Sequence, residues 1–173
     1  MNGKTLILDA FWVSKKPFPT VLNNDSEEGK IFHTYYSGRA RYLGWMDLIL
    51  LKDIIRRHNI KHIIIQNLDA LGQIAEKLGI IRVCVSYEYN RFIVNTFSKE
   101  KELVHCKPIY ANVVFGGWNF SENDTTLPKR VEYYLHFLLK HTLVSSITCM
   151  TNTVKFTVYF DDSGQIMLKT EPN

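Results

Sequence analysis

The sequence predicts a mixed α/β or α+β fold, in which helices flank a central mixed sheet. Two observations lead to this prediction. Apolar runs of strand length alternate with stretches of helical spacing through the middle of the chain, and hairpin-like strand pairs follow later. No internal repeat or linker divides the 173 residues, so we expect one domain over residues 1–173.

The first half of the chain contains two predicted strands and one predicted helix. Residues 5–13 are rich in branched and aromatic side chains and predict a strand, which residues 17–20 (PFPT) end. Residues 23–30 predict a polar surface loop, and a second loop is expected over residues 36–45. Apolar residues at helical spacing predict a helix over residues 46–59, and residues 62–65 predict a buried strand.

The second half contains more strands and a late helix. Residues 82–89 and 91–97 alternate at period two and predict an antiparallel pair around Asn90. Residues 109–115 are expected to be extended, with a turn at 116–118, and a helix is expected over residues 128–141, with Pro128 in its first turn. On that helix we expect Tyr133, Tyr134 and Phe137 to pack in the core. Strands are predicted over residues 145–150, 154–160 and 165–169.

The composition is that of an ordinary globular protein. Hydrophobic residues make up 46% of the chain and charged residues 22%, which excludes a disordered or collagen-like chain. The formal net charge of +4 favours anionic ligands but is too small to indicate duplex DNA binding. Three cysteines without a CxxC pair do not fit a disulfide framework or a zinc site. Because no apolar stretch is long enough to span a membrane, we expect a cytoplasmic protein.

A glycine and two arginines lie close together in the loop before the first predicted helix. Within residues 37–41 (SGRAR), Gly38 lets the backbone approach a ligand, and the guanidinium groups of Arg39 and Arg41 match phosphate or carboxylate. The pattern predicts an anion site. From this pattern alone an ordinary solvated basic loop is the better explanation, because short stretches of this type are common.

A second candidate site follows the buried strand of residues 62–65. Asn67 and Asp69 lie just past its carboxyl end, where α/β proteins bind nucleotides, and a carboxylate there can accept two hydrogen bonds from a guanine edge. The alternative is structural, with Asp69 as the cap of a short helix that begins at Ala70. His58 and His62 lie four residues apart but straddle a predicted helix end, so we expect no metal site there.

Read in order, these fragments resemble the C-terminal third of adenylosuccinate synthetase, a family that joins IMP to aspartate at the expense of GTP. The similar blocks are residues 17–22 (PFPTVL), 37–47 (SGRARYLGWMD), 67–71 (NLDAL), 82–87 (RVCVSY), 106–110 (CKPIY) and 117–118 (GW). The resemblance implies that Ser37, Gly38, Arg39 and Arg41 bind aspartate or an IMP-like anion. It also implies that Asp69 reads the guanine base, with Asn67 beside it.

The departures from the family pattern bear on function. Asn67 replaces a lysine, Ala40 and Tyr42 replace basic residues, and residues 150–153 (MTNT) replace a segment STGP. Counterparts of the family's phosphate loop, catalytic aspartate and histidine, and magnesium ligands are missing from this sequence. We therefore expect no catalytic residue and no cofactor for this chain alone, although the family uses GTP and magnesium.

Three functions remain open. The first is a truncated, non-catalytic remnant or module that binds a small anion or nucleotide. The second is the C-terminal half of a split synthetase completed by a partner chain, which exposed apolar surface on residues 5–13 would favour; a homodimer is also open, since the family is dimeric. The third is a protein- or nucleic-acid-binding module, which needs one basic face from Arg39, Arg41, Arg56 and Arg57. Nucleic acid is the least favoured partner.

Overall fold

The computed structural model describes residues 3–36, 42–96, 103 and 105–173. Their fold is mixed α/β, as predicted. The strands are β1 (Lys4–Asp9), β2 (Trp12–Ser14), β3 (Tyr42–Gly44), β4 (Met46–Asp47), β5 (Ile60–Gln66), β6 (Ile80–Tyr89), β7 (Phe92–Val94), β8 (Lys107–Phe115), β9 (Ser146–Met150), β10 (Val154–Phe160) and β11 (Ile166–Pro172). The helices are α1 (Glu27–Tyr35), α2 (Leu48–His58), α3 (Leu68–Leu78) and α4 (Lys129–His141).

The largest sheet has five strands in the order β1-β5-β9-β10-β11. Strands β1, β5 and β9 are parallel, whereas β9, β10 and β11 are antiparallel. Among the described residues, β5 is the only strand that pairs with β1, so β1 forms one edge of this sheet. The side chains that alternate toward the core include Ile63 and Ile65 of β5 and Ile147 of β9, all buried.

The described residues also form two smaller sheets, one of which is built around the long strand β6. It pairs antiparallel with β8 and β7 and parallel with the short strand β4. Strands β6 and β7 form the predicted antiparallel pair, and Asn90 and Arg91 at their turn both have positive φ. Strands β2 and β3 form a separate antiparallel pair.

The predicted single strand over residues 5–13 is wrong in one respect, because the chain bends at Ala10 and Phe11. The Ala10 N–H donates to Gln66 O at 2.9 Å, and Ala10 O accepts from the Tyr134 hydroxyl at 2.7 Å. Phe11 is buried, with its ring 5.6 Å from that of Phe32. These bonds direct the chain from the edge of the five-stranded sheet into β2, a change of direction that strand propensity does not encode.

The predicted polar loop over residues 23–30 is also wrong, because α1 begins at Glu27. Ser26 caps the helix by accepting a hydrogen bond from Gly29 N–H at 3.0 Å. Glu28 then ties α1 to the rest of the fold through an ion pair with Arg82 at 2.8 Å. A serine followed by two acids is a helix-start signal in the sequence, and the polarity of the segment concealed it.

The helix predicted over residues 46–59 is confirmed as α2, with a later start. Met46 and Asp47 form β4, and Asp47 caps the helix by accepting hydrogen bonds from Ile49 N–H and Leu50 N–H at 3.0 and 3.1 Å. Asp47 is 0% exposed. Asn59 ends the helix in the left-handed conformation, with φ 52°.

Helix α4 confirms the late helix, with Pro128 as its N-terminal cap residue. Tyr134 is buried, as predicted, and Phe137 is half-buried. Tyr133 contradicts the core prediction, because it is 59% exposed. It lies next to Tyr134 on the helix, and adjacent helical residues point about 100° apart, so both cannot face the sheet. No helix of the described residues is long and apolar enough to cross a membrane.

Candidate functional site

A cleft of about 480 Å³ lies where the carboxyl ends of β5 and β9 meet the start of α3. Its lining is mostly polar and comes from three parts of the chain: residues 65–69 with Gln73, residues 119–122, and residues 149–150. Asn67 and Asp69, the two residues predicted to contact a base, both line it. Ligands of open α/β sheets bind at this edge, outside the carboxyl ends of the parallel strands.

Asn67 connects the cleft to the edge strand β1. Its backbone is left-handed, with φ 60° and ψ 30°, and its side chain does not cap α3. The Asn67 amide instead donates a hydrogen bond to Asp9 Oδ1, at the carboxyl end of β1. Burial raises the pKa of Asp9, and this hydrogen bond opposes the rise. The amide that stands at the family's lysine position is therefore held by a neighbouring carboxylate.

Asp69 lies exposed in the first turn of α3. It is not the cap of a helix that starts at Ala70, because α3 already begins at Leu68. An acid in the first turn suits the positive end of the helix dipole. Its exposed carboxylate also lines the cleft, so the structural and the ligand-binding interpretations of Asp69 are compatible.

The turn after β8, which leads into the cleft-lining residues 119–122, packs closely on α3. Trp118 Nε1–H donates to Leu68 O at 2.7 Å, and the indole is buried. The contact requires a glycine on the helix, since a Cβ on Gly72 would lie 2.5 Å from Trp118 Nε1 and from Trp118 O. This is the structural role of the Gly-Trp pair at residues 117–118.

The loop of residues 119–124 continues from Trp118 to the turn between β9 and β10. Glu122 O accepts a hydrogen bond from Asn152 N–H at 2.6 Å. Inside the loop, Ser121 N–H donates to Asp124 Oδ2 at 2.9 Å. The loop is thus bonded to α3 through Trp118 and to the β9–β10 turn through Glu122. It forms one side of the cleft. The sequence predicts a polar loop over residues 119–126 but does not place it at a site, because no motif marks these residues.

The predicted anion-binding residues Ser37, Gly38, Arg39 and Arg41 lie outside the described residues. The residue that precedes them is described: Tyr36 packs its ring 5.3 Å from Phe11. Burial and the charge of Asp9 raise the pKa of Tyr36. The start of this loop therefore lies near the Asp9–Asn67 pair.

Asp9 is a site residue that sequence reasoning missed. Its signal in the sequence is its place directly after an apolar run that ends β1, parallel to β5 and next to it. In the register of the two strands, Asp9 pairs with Gln66, the residue before Asn67. The carboxyl ends of neighbouring parallel strands meet at one edge, so Asp9 and Asn67 become neighbours.

Two of the four arginines required for the basic face of a nucleic-acid-binding module, Arg56 and Arg57, lie in the described part of the chain. Arg56 and Arg57 both form ion pairs with Asp53, at 2.9 and 2.8 Å, which offsets part of their charge. His62 shares a hydrogen bond with Ser146 Oγ at 2.8 Å. No group of three or more His, Cys, Asp or Glu residues in the described ranges could hold a metal ion.

Comparison with known proteins gives one consistent result. The family model of adenylosuccinate synthetase matches residues 10–153. The chain is 33% identical over 135 residues to adenylosuccinate synthetase of Clostridium beijerinckii, covering 71% of this chain and 29% of the relative. It is 31% identical over 141 residues to that of Caldicellulosiruptor bescii, covering 75% and 32%. The chain thus spans about a third or less of the relatives' length.

A solved structure agrees in fold. Adenylosuccinate synthetase from Plasmodium falciparum, in a fully ligated state, superposes with a TM-score of 0.68 at 21% sequence identity. The match covers 85% of this chain and 37% of that protein. The predicted resemblance, made from ordered short blocks, is confirmed.

Proposed function

Because the chain belongs to the adenylosuccinate synthetase family, we propose that it is a cytoplasmic protein that binds a guanine nucleotide and a small anion. We propose further that it does not catalyse the family's ligation alone. The guanine base occupies the cleft at the carboxyl ends of β5 and β9. A dicarboxylate such as aspartate, or an IMP-like anion, binds to the loop of residues 37–41.

One observation carries the nucleotide part of this proposal. The fold brings Asn67 and Asp69 together in one polar cleft, at the edge of the sheet where α/β proteins bind nucleotides. The exposed Asp69 carboxylate can accept two hydrogen bonds, as the N–H donors of a guanine edge require. An aspartate that served only to favour the helix dipole would need no cleft beside it.

The anion part rests on the loop and on where it starts. Arg39 and Arg41 supply two planar guanidinium groups, which bind carboxylate or phosphate in bidentate geometry. Ser37 and Gly38 offer a hydroxyl and an approachable backbone. Tyr36, directly before the loop, lies near Asp9, and Asp9 bonds to Asn67 in the cleft. This proximity supports two ligand sites side by side.

The non-catalytic part rests on what phosphoryl transfer requires. A kinase-like step on IMP needs a phosphate cradle and a metal ion to lower its barrier. The chain spans 29% and 32% of the length of two relatives, and its described residues bring no metal-ligand cluster together. We therefore propose that the chain binds ligands of the family without performing the reaction alone.

Asp69→Asn tests the nucleotide site. Titration of GTP into the wild-type protein should give measurable binding by calorimetry. Asp69→Asn should weaken this binding roughly tenfold, because an amide with one acceptor oxygen replaces a carboxylate that can accept hydrogen bonds from two donors. Asp162→Asn is the matched control, since it makes the same change at an exposed turn residue away from the cleft. Equal GTP affinity in the Asp69 variant and the wild type, or no binding to the wild type, contradicts the proposal.

Arg39→Ala and Arg41→Ala test the anion site. Each should weaken binding of aspartate or IMP roughly tenfold, because a charge-assisted bidentate contact is lost. Arg91→Gly is a control that removes a guanidinium at a turn where φ is 68° and glycine fits. Unchanged aspartate and IMP affinities in both variants would refute the anion site. Formation of adenylosuccinate by the isolated chain would refute its catalytic incompleteness.

A second function, one half of a split synthetase, is favoured by a separate observation. The edge strand β1 leaves Ile7 59% exposed, and its outer edge has no partner strand among the described residues. We propose this edge as the place where a chain resembling the rest of the synthetase would add. The test is purification from the native cell at native expression. Co-elution of a chain resembling the rest of the synthetase, together with ligase activity, would support the split-synthetase proposal. Elution of this chain alone, as a monomer without ligase activity, would overturn it.

A further inference from the structure

We propose that a second cavity, at the opposite end of β5 from the polar cleft, binds an amphipathic anion with one aliphatic chain and a carboxylate or phosphate head. The cavity has a volume of about 690 Å³ and lies between α2, the start of β5, residues 95–96 and Leu143. Because β5 has seven residues, its length of roughly 20 Å separates this cavity from the cleft. The proposal is therefore independent of the function proposed for the cleft.

The floor of this cavity is aliphatic. Ile49, Ile55 and Ile60 line it and are buried. Leu143, in the turn between α4 and β9, extends the apolar lining and is 87% exposed. No aromatic side chain is among the described lining residues, so they offer no stacking surface for a nucleotide base. Such walls suit a flexible aliphatic chain better than a planar ring.

The exposure of Leu143 is imposed by its turn. The Thr142 hydroxyl donates to Leu138 O at 2.9 Å, and Ser145 N–H donates to Lys61 O at 2.7 Å. The turn is thus bonded to the rest of the fold on both sides of Leu143. Singly exposed leucines are common in proteins, but this one borders an apolar cavity and enlarges the apolar surface that a ligand can cover.

The lining also carries an excess of positive charge. Lys52, Arg56 and Lys61 line the cavity, against one described acid, Asp53. Each oxygen of the Asp53 carboxylate already bonds to an arginine, Oδ1 to Arg56 at 2.9 Å and Oδ2 to Arg57 at 2.8 Å. Neither lysine forms an ion pair with a described residue. An anionic head that meets these two ammonium groups therefore displaces no existing ion pair.

Lys52 is placed beside the cavity by α2. It follows Ile49 by one turn and precedes Arg56 by another, so the three side chains share the face of the helix that lines the cavity. Its charge also acts on the end of α4, since burial, and then the charges of Lys52 and Lys140, lower the pKa of His141. Like charges are thus gathered at this end of the molecule, and a bound anion reduces their repulsion.

Lys61 is placed by its contact with the residue before β1. Its Cβ and Cγ pack on the backbone of Gly3, where an added Cβ would clash with them. The helix dipole favours a cation in the last turn of a helix, which accounts for Arg56 in α2. It does not account for Lys52 in the middle of that helix or for Lys61 on β5. The positive lining is therefore more than an effect of the helix end.

Calorimetry with decanoate, octanoate, decyl phosphate and decan-1-ol tests the proposal on the full chain. Decanoate and decyl phosphate should bind to the wild type, and the tighter of the two identifies the preferred head group. Octanoate should bind roughly tenfold more weakly than decanoate, because two buried methylene groups are lost. Decan-1-ol should also bind roughly tenfold more weakly than decanoate, because it carries no charge for the lysines to meet.

Variants of the lining test whether this cavity is the site. The double variant Lys52→Gln/Lys61→Gln should weaken decanoate binding roughly tenfold through the loss of both ammonium groups. Leu143→Ser should weaken it to a similar extent through the loss of apolar contact. The control Lys77→Gln/Lys129→Gln makes the same change in charge at two exposed residues outside the described lining and should leave decanoate affinity unchanged.

The outcomes separate this proposal from that for the cleft. It is overturned if neither decanoate nor decyl phosphate binds to the folded wild type, if decan-1-ol binds as tightly as decanoate, or if the lining variants bind decanoate like the wild type. Binding to phosphatidylglycerol vesicles without binding of the free amphiphiles also overturns it, since a membrane surface would then be the ligand. GTP affinity should be equal in the lining variants and the wild type. Near-identical thermal unfolding midpoints exclude misfolding as the cause of a loss.

Discussion

Asp47→Ala should lower the free energy of unfolding by about 3 kcal/mol at pH 5, measured by urea denaturation. The carboxylate caps α2 through bonds to Ile49 N–H and Leu50 N–H, and its Oδ2 accepts from the Tyr87 hydroxyl. Loss of a helix cap costs about 1 kcal/mol, and leaving a buried hydroxyl unpaired costs about 2 kcal/mol more. Both Asp47 and Tyr87 are 0% exposed, so water cannot replace the lost partner.

The same residue makes stability depend on pH. Burial raises the pKa of Asp47 to about 6, although its hydrogen bonds oppose the rise. Because this native pKa lies above the ordinary value of 3.8, the native state holds a proton that the unfolded state has released between these values. Stability therefore falls as the pH rises from about 4 to 7, by about 3 kcal/mol at most.

Asp47→Asn is the matched variant for this pH dependence. Asparagine keeps an acceptor for the two helix N–H groups but cannot ionise. We expect the variant to be about as stable as the wild type below about pH 4, where Asp47 is protonated in both states, and more stable at pH 7. The neighbouring groups Cys84, Tyr87 and Tyr110 do not contribute to this pH dependence. Burial raises their pKa values, so they stay neutral throughout. If the free energy of unfolding changed equally with pH in the wild type and in Asp47→Asn, the pH dependence could not be assigned to Asp47.

Gly72→Ala should destabilise the protein by about 2 kcal/mol, although alanine is the better helix former. A gain of about 1 kcal/mol in helix propensity is outweighed by overpacking, which costs about 3 kcal/mol where backbone atoms cannot yield. The new Cβ would lie 2.5 Å from Trp118 O, a main-chain atom, and 2.5 Å from the indole nitrogen that bonds to Leu68 O. Relief requires the turn of residues 116–118 to move away from α3.

Two further variants check the cause. Lys77→Ala, an exposed change on the same helix, should alter stability by less than about 0.5 kcal/mol. Trp118→Leu is itself destabilising, but combined with Gly72→Ala it should show a favourable coupling of about 1 kcal/mol, since the smaller side chain makes room. Strict additivity of the two changes would rule out a clash with the indole and leave only the contact with Trp118 O. Because Trp118 anchors the loop of residues 119–124, Gly72→Ala should also weaken ligand binding in the cleft.

Local pattern was enough to predict most elements of the fold. Strands β5, β6, β9 and β10 and helices α2 and α4 follow from periodicity and from turn and cap residues, which act over a few positions. Helix α1 was missed because its segment is mostly polar and its buried aromatic residue, Phe32, packs on Phe11 and Trp45, which are distant in the sequence. The bend at Ala10 was missed for the same reason, since a hydroxyl on α4 binds it.

Some residues of the candidate site could likewise be predicted from the sequence, and others could not. Asn67 and Asp69 could be identified from the sequence, because their place after a buried strand is a local feature with a known meaning. Asp9 also follows an apolar run, but which strand lies beside β1 is not a local feature of the sequence, and no motif marks Glu122. Asp9 meets Asn67 across 58 residues and Trp118 meets Leu68 across 50, through strand order and turn packing.

The sequence alone determined the fold class, the family, and the position of two residues in the polar cleft, since ordered motifs and periodicity are local features. Only the tertiary structure decided that Asn67 turns to Asp9, that Glu122 joins Asp69 in the cleft, and that Tyr87 binds Asp47 across 40 residues. These partners depend on how strands are ordered and on how closely backbones approach, and close packing decides both.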